Sequence, residues 1–389
     1  MRVVLVHDWL NGMRGGEKVL EALAAIFPKS RIYTLFCDPE TISADLRRHE
    51  IFTSFIQRMP KRRTHYRSYL PLFPCAIEKF RFQETDLVIS SSHCVAKGAR
   101  VGQNTLHICY CHSPMRYIWD RFDDYFPRSE MNALKFGIVR VVAGRLRKWD
   151  LVTSKRVDLF IANSSFVQRR INEYYGRPAR VIYPPVDTDF FTPGSAKREG
   201  YFLTASALVP YKKVGLLIKA FEGVKEKLVV IGDGPEFQRL VKEAPPNVSF
   251  AGWVDPETLR DYYRGCRALI FPGVEDFGIV PVEAQACGKP VIAYALGGVT
   301  DSVVGPDSDC IGDFNGPMTG LFFKSQTLDA IRRAVKVFPG LNFDCQTIRQ
   351  NALRFSRERF FTQMQEFLTD AVGIFRQQGK RRLEELLIR

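Results

Sequence analysis

Short apolar runs of four to seven residues alternate with amphipathic stretches along almost the whole chain. This pattern predicts parallel sheets flanked by helices. In the first half, strands are expected at VVLVHDW (3–9), RIYTLF (31–36), DLVISSS (86–92), LHICYCHS (106–113), DLFIANS (158–164) and RVIYPPV (180–186). In the second half they are expected at YFLTASAL (201–208), KLVVIGDGP (227–235), VSFAGWV (248–254), RALIFPG (267–273), PVIAYA (290–295) and TGLFF (319–323). Helical periodicity falls between them, as in GEKVLEALAAIF (16–27) and ETLRDYYRGC (257–266). The stretch YPPVDTDFFTPGSAKREG (183–200) is rich in Pro, Gly and charge and reads as a linker. Two doubly wound domains with a cleft between them follow, covering 1–190 and 196–355. A long final helical segment, 357–389, is expected to rejoin the first domain. In such sheets ligands sit outside the carboxyl ends of the strands, so the loops there carry the candidate chemistry.

The 389 residues suit two cores rather than one. Nothing approaches the roughly 18 consecutive apolar residues of a membrane span. The chain opens on a strand with no basic leader, and its nine cysteines show no framework spacing. A signal peptide is therefore not expected, and a cytoplasmic protein is. Lys and Arg number 56 against 42 Asp and Glu, a formal net charge of +14 that favours anionic partners. Arg58, Lys61, Arg62, Arg63, Arg67, Lys79 and Arg81 lie against one acid, Glu78, with aromatic residues interleaved. Such a segment reads either as an anchor on anionic lipid or as a solvated basic face over a core. No helix-turn-helix, zinc-finger or RNA-binding signature accompanies the charge, so nucleic acid is not an expected partner.

Glu275 and Glu283 bracket EDFGIVPVE, a strand-to-helix passage with Gly278 at the turn. Two carboxylates for sugar hydroxyls and a helix start for a phosphate suit a nucleotide sugar. HDWLNGMRGGEK (7–18) turns from strand to helix through Gly15 and Gly16, and matches neither the dinucleotide fingerprint nor the phosphate-binding loop of nucleotide triphosphatases. His112 ends a strand, where an imidazole can meet a substrate hydroxyl. His107, Cys109 and Cys111 alternate on one strand, but no fourth ligand offers itself, and core packing is the preferred reading. Lys212, next to Lys213 at a helix start, suits a diphosphate; Gly232 and Gly234 of GDGP, and Gly252 of FAGWV, follow successive strands. Asp187-Thr188-Asp189 has the spacing of a metal-binding triplet but falls in the linker, away from these loops, so no metal is expected.

These residues together resemble the glycosyltransferase-4 family, which has the GT-B fold, and come closest to its WbaZ-like branch of bacterial O-antigen and exopolysaccharide mannosyltransferases. The matching segments are HDWL…GGEKVLE, DLVISSSHCVAKG, HICYCHSPMRY, FIANSSFVQRRI, VIYPPVDTDFF, LVPYKK, VIGDGPE and FPGVEDFGIVPVEAQACGKPVIAY. The last carries the family's E-x7-E signature. The resemblance implies a retaining, metal-independent transferase with a nucleotide-sugar donor and no cofactor. GDP-mannose is the donor expected, with a UDP-glucose or dTDP-rhamnose type as the alternative. The acceptor expected is a lipid-linked saccharide at the inner face of the cytoplasmic membrane, and the resemblance implies that Arg58, Lys61, Arg62, Arg63 and Arg67 belong to the surface that meets it. It further implies that Glu283 binds the ribose, that Glu275 meets the donor sugar near the amides of Gly278, Ile279 and Val280, and that Lys212 neutralises the leaving diphosphate. His112 would lie by the reacting carbon, and Gly15 and Gly16 by the diphosphate and acceptor. Relatives often carry an arginine shortly before the lysine; here that position is Ala207. A nucleotide-sugar epimerase, a pyridoxal-dependent phosphorylase on the same frame and a nonenzymatic nucleic-acid binder rank below this reading.

Overall fold

The computed structural model describes residues 1–194 and 200–387. Residues 195–199 of the expected linker and 388–389 of the final segment lie outside them. The chain forms two compact units, Met1–Pro185 with Phe360–Arg389, and Val186–Arg359.

The first unit is built on β1 (Val3–His7), β2 (Arg31–Thr34), β3 (Ile51–Thr53), β4 (Arg81–Phe82), β5 (Leu87–Ser92), β6 (Arg100–Val101), β7 (Leu106–Cys111), β8 (Leu159–Ala162) and β9 (Ala179–Val181). Seven of these make one sheet in the order β3-β2-β1-β5-β7-β8-β9, and β4 pairs with β6 in a small ribbon. Every pairing is parallel. All six residues of β5 and of β7 are buried, as expected for central strands covered on both faces. The strand order reverses between β1 and β5, so the loops after His7 and Ser92 diverge there and leave room for a ligand. Helix Arg357–Gln378 buries Phe360, Met364, Phe367, Leu368 and Ala371, one helical face, in the same core as Leu5, Ile89, Ile108 and Leu159.

The second unit carries β10 (Tyr201–Ala205), β11 (Lys227–Ile231), β12 (Val248–Gly252), β13 (Ala268–Phe271), β14 (Val291–Tyr294) and β15 (Gly320–Phe323). They form one parallel sheet, β12-β11-β10-β13-β14-β15, whose order reverses between β10 and β13. Both units are thus doubly wound α/β domains.

Part of the expected linker belongs to the second unit. Val186 bridges to Ser356, its amide donates to the Phe355 carbonyl, and Asp187 lies 3.7 Å from Arg357. Asp187 also accepts the Phe190 amide at 3.1 Å, so the first carboxylate of the D-x-D triplet caps a turn. The basic segment 58–81 folds as a string of short helical turns, and most of its apolar groups face inward, Leu72 being exposed. Tyr66, Phe73, Ala76 and Ile77 are buried in the first unit, and Phe55, Tyr69, Leu70 and Phe80 pack against them. Arg62 and Arg63 both reach Asp38, at 2.7 and 3.1 Å.

Candidate functional site

In the first unit, β1 ends in His7 and runs into Asp8, while β5 ends in three buried serines before His93. The Ser91 hydroxyl joins His7 Nδ1 at 3.0 Å to His112 Nε2 at 2.7 Å. The hydroxyl has one proton and two lone pairs, so Ser91 donates to at most one of the two rings. Glu17, on the first turn of helix Gly15–Ile26, lies 3.9 Å from His7 Nε2 and accepts the Arg14 amide at 3.0 Å. Burial favours its neutral form, but the His7 ring and the backbone donor outweigh this and bring its pKa down to about 2. A Cβ on Gly16 would sit 3.6 Å from the His7 ring and 3.7 Å from that of His112, so the helix start lies against both imidazoles.

Asp8 organises the opposite rim. Its carboxylate accepts the amides of His93, Cys94, Val95 and Ala96 at 2.6–2.9 Å and lies 3.1 Å from His93 Nδ1. Burial opposes the charge, yet the His93 ring and the backbone donors hold the carboxyl well below the usual range. His112 is half-buried. Burial and the flanking His93 and His7 rings push its pKa well below the imidazole range, which keeps it neutral at physiological pH. Asn163 donates to the His112 carbonyl at 3.0 Å and Arg170 to Ser113 Oγ at 2.8 Å, pinning the loop that carries it. A neutral imidazole on a rigid loop, beside a glycine-lined helix start, is suited to hydrogen-bonding a hydroxyl.

In the second unit, the strand order reverses at the ends of β10 and β13. Lys212 closes the 3₁₀ turn Pro210–Lys212 after β10 and pairs with Glu275, which lies in the loop after β13. The Gly298 amide donates to the Glu275 carbonyl at 2.9 Å and fixes that loop. Gly278, at φ +88°, caps helix Ile279–Ala286 in the left-handed region that glycine adopts at least cost. The Ile279 and Val280 amides have no partner within the helix and stand at its positive end, and Pro281 follows where a free amide would otherwise be. Glu283 lies one turn further along, almost buried, and accepts the Tyr263 hydroxyl at 3.0 Å. Burial and the adjacent Glu283 charge push the Tyr263 phenol well above its usual range, so it stays a donor.

The segment spacing therefore brings Lys212, Glu275, Gly278, Ile279, Val280 and Glu283 to one edge of one sheet, and Gly15, Gly16 and His112 to one edge of the other. Gly232 and Gly234 do a structural job there. A Cβ on Gly232 would lie 1.9 Å from the Ser206 carbonyl oxygen, because the loops after β10 and β11 pack backbone to backbone. The Leu208 amide donates to the Asp233 carbonyl at 2.9 Å across the same contact, and the Gly252 carbonyl accepts the Gly232 amide at 2.8 Å. Ala207 is exposed. Arg58, Lys61 and Arg67 belong to the inward-turned segment described above and are not neighbours of this cluster in sequence or in the sheet. The spacing of motifs did not single out His7, Asp8, Glu17, Ser91 or His93. Their common signal is position, at the carboxyl ends of β1 and β5 or one helical turn beyond.

His107, Cys109 and Cys111 are core residues. Cys109 and Cys111 pack with Val157, Phe160 and Ile171, and His107 Nε2 meets Ser90 Oγ at 2.9 Å. Among the described residues, no group of three or more His, Cys, Asp or Glu side chains has the geometry to hold a metal ion. His107 Nδ1 has no hydrogen-bond partner among those residues, and burial pushes its pKa down to about 3. The unfolded chain takes up this proton below about pH 6.5, whereas the folded chain refuses it until about pH 3. Stability is therefore lost as pH falls through that window, by about 2 kcal/mol from this ring between pH 7 and about pH 5. Urea unfolding at the two pH values checks this, and His107→Gln should lose correspondingly less on acidification.

The family model for glycosyl transferases group 1 matches residues 185–352, and that for glycosyltransferase family 4 matches residues 13–190. An uncharacterized glycosyltransferase of Methanocaldococcus jannaschii is 29% identical over 165 residues, covering 41% of this chain and 46% of that relative. The chain thus spans about half the length of the curated relatives it matches. The sucrose-phosphate synthase of Thermosynechococcus elongatus superposes with a TM-score of 0.67 at 17% identity, covering 95% of this chain and 99% of that one. Anabaena HepE in complex with UDP-glucose superposes with a TM-score of 0.63 at 16% identity, over 95% and 100%. At such identities these structures speak for the fold alone. Together the two family models run almost continuously across both doubly wound units, and the chain belongs to the family-4 glycosyltransferases, built on the GT-B fold.

Proposed function

We propose that this glycosyltransferase moves a hexose, mannose from GDP-mannose, onto a lipid-linked saccharide with retention of anomeric configuration, at the inner face of the cytoplasmic membrane. The observation that carries the reading is the Lys212–Glu275 ion pair beside the helix start at Gly278, with Glu283 on the same helix. A diphosphate meets a cation and two free amides there, while a carboxylate one turn on suits ribose hydroxyls. When the donor enters, Lys212 turns from Glu275 to the phosphate, which frees Glu275 to accept from sugar hydroxyls.

In the transfer step the bond from C1 to the phosphate oxygen breaks and one from C1 to the acceptor oxygen forms on the same face. The acceptor proton passes to the departing phosphate oxygen. Lys212 and the Ile279 and Val280 amides stabilise the charge that grows on the diphosphate. The reading calls for no metal and no covalent enzyme intermediate. It assigns nucleotide recognition to the second unit and hydroxyl recognition to the cluster around His112 in the first.

A panel of GDP-mannose, UDP-glucose and dTDP-rhamnose, scored for thermal stabilisation and hydrolysis, tests it. GDP-mannose is expected to raise the melting temperature most, and Lys212→Ala to abolish most of that rise. A larger response to UDP-glucose or dTDP-rhamnose would reassign the donor. No response to any nucleotide sugar would sink the reading.

A further inference from the structure

Helix Ala133–Ser154, in the first unit, turns an apolar stripe to solvent. Leu134 is 77% exposed, Ile138 57%, Val141 55% and Val152 56%, although such residues are ordinarily buried. The exposed positions 134, 138, 141, 145, 148 and 152 step by four and three residues, so they share one face along a rod of about 33 Å. Arg145 and Lys148 continue that face, and Lys135 and Arg140 flank it, all four exposed. Between Ala133 and Trp149 there is no acidic residue. Gly137 and Gly144 have open space where a side chain would stand, with nothing among the described residues within 4 Å. The opposite side is ordinary core, with Ala143 and Leu146 buried and Trp149 packed against them.

We infer that this face of helix Ala133–Ser154 is a docking surface for an anionic lipid bilayer, lying flat with its apolar stripe among the acyl-chain margins and its cations at the headgroups. The chemistry that satisfies both halves at once is an apolar interior edged by negative charge. A second copy of this chain fits less well, since a two-fold contact would set the same cations against each other. No helix among the described residues is long and apolar enough to cross a membrane, so the contact lies along the surface. The basic segment 58–81 offers less apolar surface, because Tyr66, Phe73, Ala76 and Ile77 are buried, Leu72 is its one large apolar side chain at the surface, and Arg62 and Arg63 share Asp38. The inference deepens the membrane part of the proposed function and can fail without it, because lipid binding is scored with no nucleotide sugar present.

The full-length chain is sedimented with vesicles of equal parts phosphatidylglycerol and phosphatidylcholine, and with phosphatidylcholine alone. Binding to the anionic vesicles is expected to exceed that to neutral ones by about tenfold or more. Ile138→Asp with Val141→Asp, and separately Arg145→Glu with Lys148→Glu, should each weaken it about tenfold or more. All four positions are exposed, and unchanged melting temperatures verify the fold. Arg62→Ala with Arg63→Ala and Arg67→Ala should bind nearly as the parent does. Helix variants that bind like the parent, or equal binding to both vesicle types, overturn the inference. So does a lipid-free dimer, seen by analytical ultracentrifugation, that Ile138→Asp with Val141→Asp converts to monomer.

Discussion

Lys97→Met is expected to lower the unfolding free energy of the first unit by about 3–5 kcal/mol, a large share of what holds an ordinary domain together. Lys97 and Asp150 form an ion pair with both side chains essentially withdrawn from water. The pair is embedded in donors: Trp119 Nε1 and Tyr175 Oη each reach Asp150 at 2.8 Å, and Lys97 donates to the Cys94 carbonyl at 3.2 Å. Burial works against the ammonium, but the Asp150 carboxylate outweighs it and raises the Lys97 pKa above its usual value. Methionine preserves the volume and removes the charge, which leaves Asp150 buried with two neutral donors. Asp150→Asn on the same background removes the orphaned charge and should recover part of the loss, a coupling that a packing defect alone does not produce. Urea unfolding followed by tryptophan emission reads this out, since Trp9, Trp119 and Trp149 all lie in the first unit and only Trp253 in the second. A loss below about 1 kcal/mol would show that water reaches the pair in solution.

The same network shows why part of the fold was legible and part was not. The six strands of the second unit are apolar runs bounded by Gly, Pro or charge, and each appears where its periodicity places it. The first unit hides three. β3 (Ile51–Thr53), β4 (Arg81–Phe82) and β6 (Arg100–Val101) are two or three residues long, too short for any alternation to show. Conversely, RVIYPPV reads as one strand, but β9 stops at Val181, just before a Pro pair that cannot donate to a ladder. The alternation of Arg58–Arg81 suggested a lipid anchor because sequence does not say which way an aromatic side chain turns; here most turn inward. The run Ala133–Trp149 has the opposite property. Only three-dimensional packing shows that one apolar face of this helix stays exposed.

The candidate site divides along a similar line. Lys212, Glu275 and Glu283 were legible because a loop, a glycine and a short helix put them within reach of one another in sequence or at adjacent strand ends. The cluster around His112 was only half legible. His7 and Glu17 share the stretch HDWLNGMRGGEK, but Ser91 comes from a distant one, and what joins it to His7 is the pairing of β1 with β5, which sets the two in register. Nothing local in HDWL or DLVISSS announces that a serine will be shared by two imidazoles.

Glu283→Ala is expected to weaken nucleotide binding by about 10- to 100-fold, the range of one or two hydrogen bonds to a charged acceptor. The substitution also removes the acceptor of the Tyr263 hydroxyl, which is fully buried, so a second cost of about 1–3 kcal/mol in stability accompanies it. The two effects need separating, and Tyr263→Phe does so. It deletes the hydroxyl without leaving an unpaired group on the tyrosine, and keeps the Glu283 carboxylate on helix Ile279–Ala286 with its acceptor capacity intact. If Glu283 contacts ribose, Tyr263→Phe should retain affinity within a few-fold while Glu283→Ala loses it, although both variants are less stable than the parent. If Glu283 serves only to hold Tyr263, the two variants should bind alike, and the double variant should be no less stable than Glu283→Ala alone. Calorimetric titration with GDP and UDP, at a temperature well below each variant's melting point, distinguishes these outcomes. Affinity in Glu283→Ala equal to that of the parent would remove the carboxylate from the nucleotide site and leave Lys212 and the helix amides to account for donor binding.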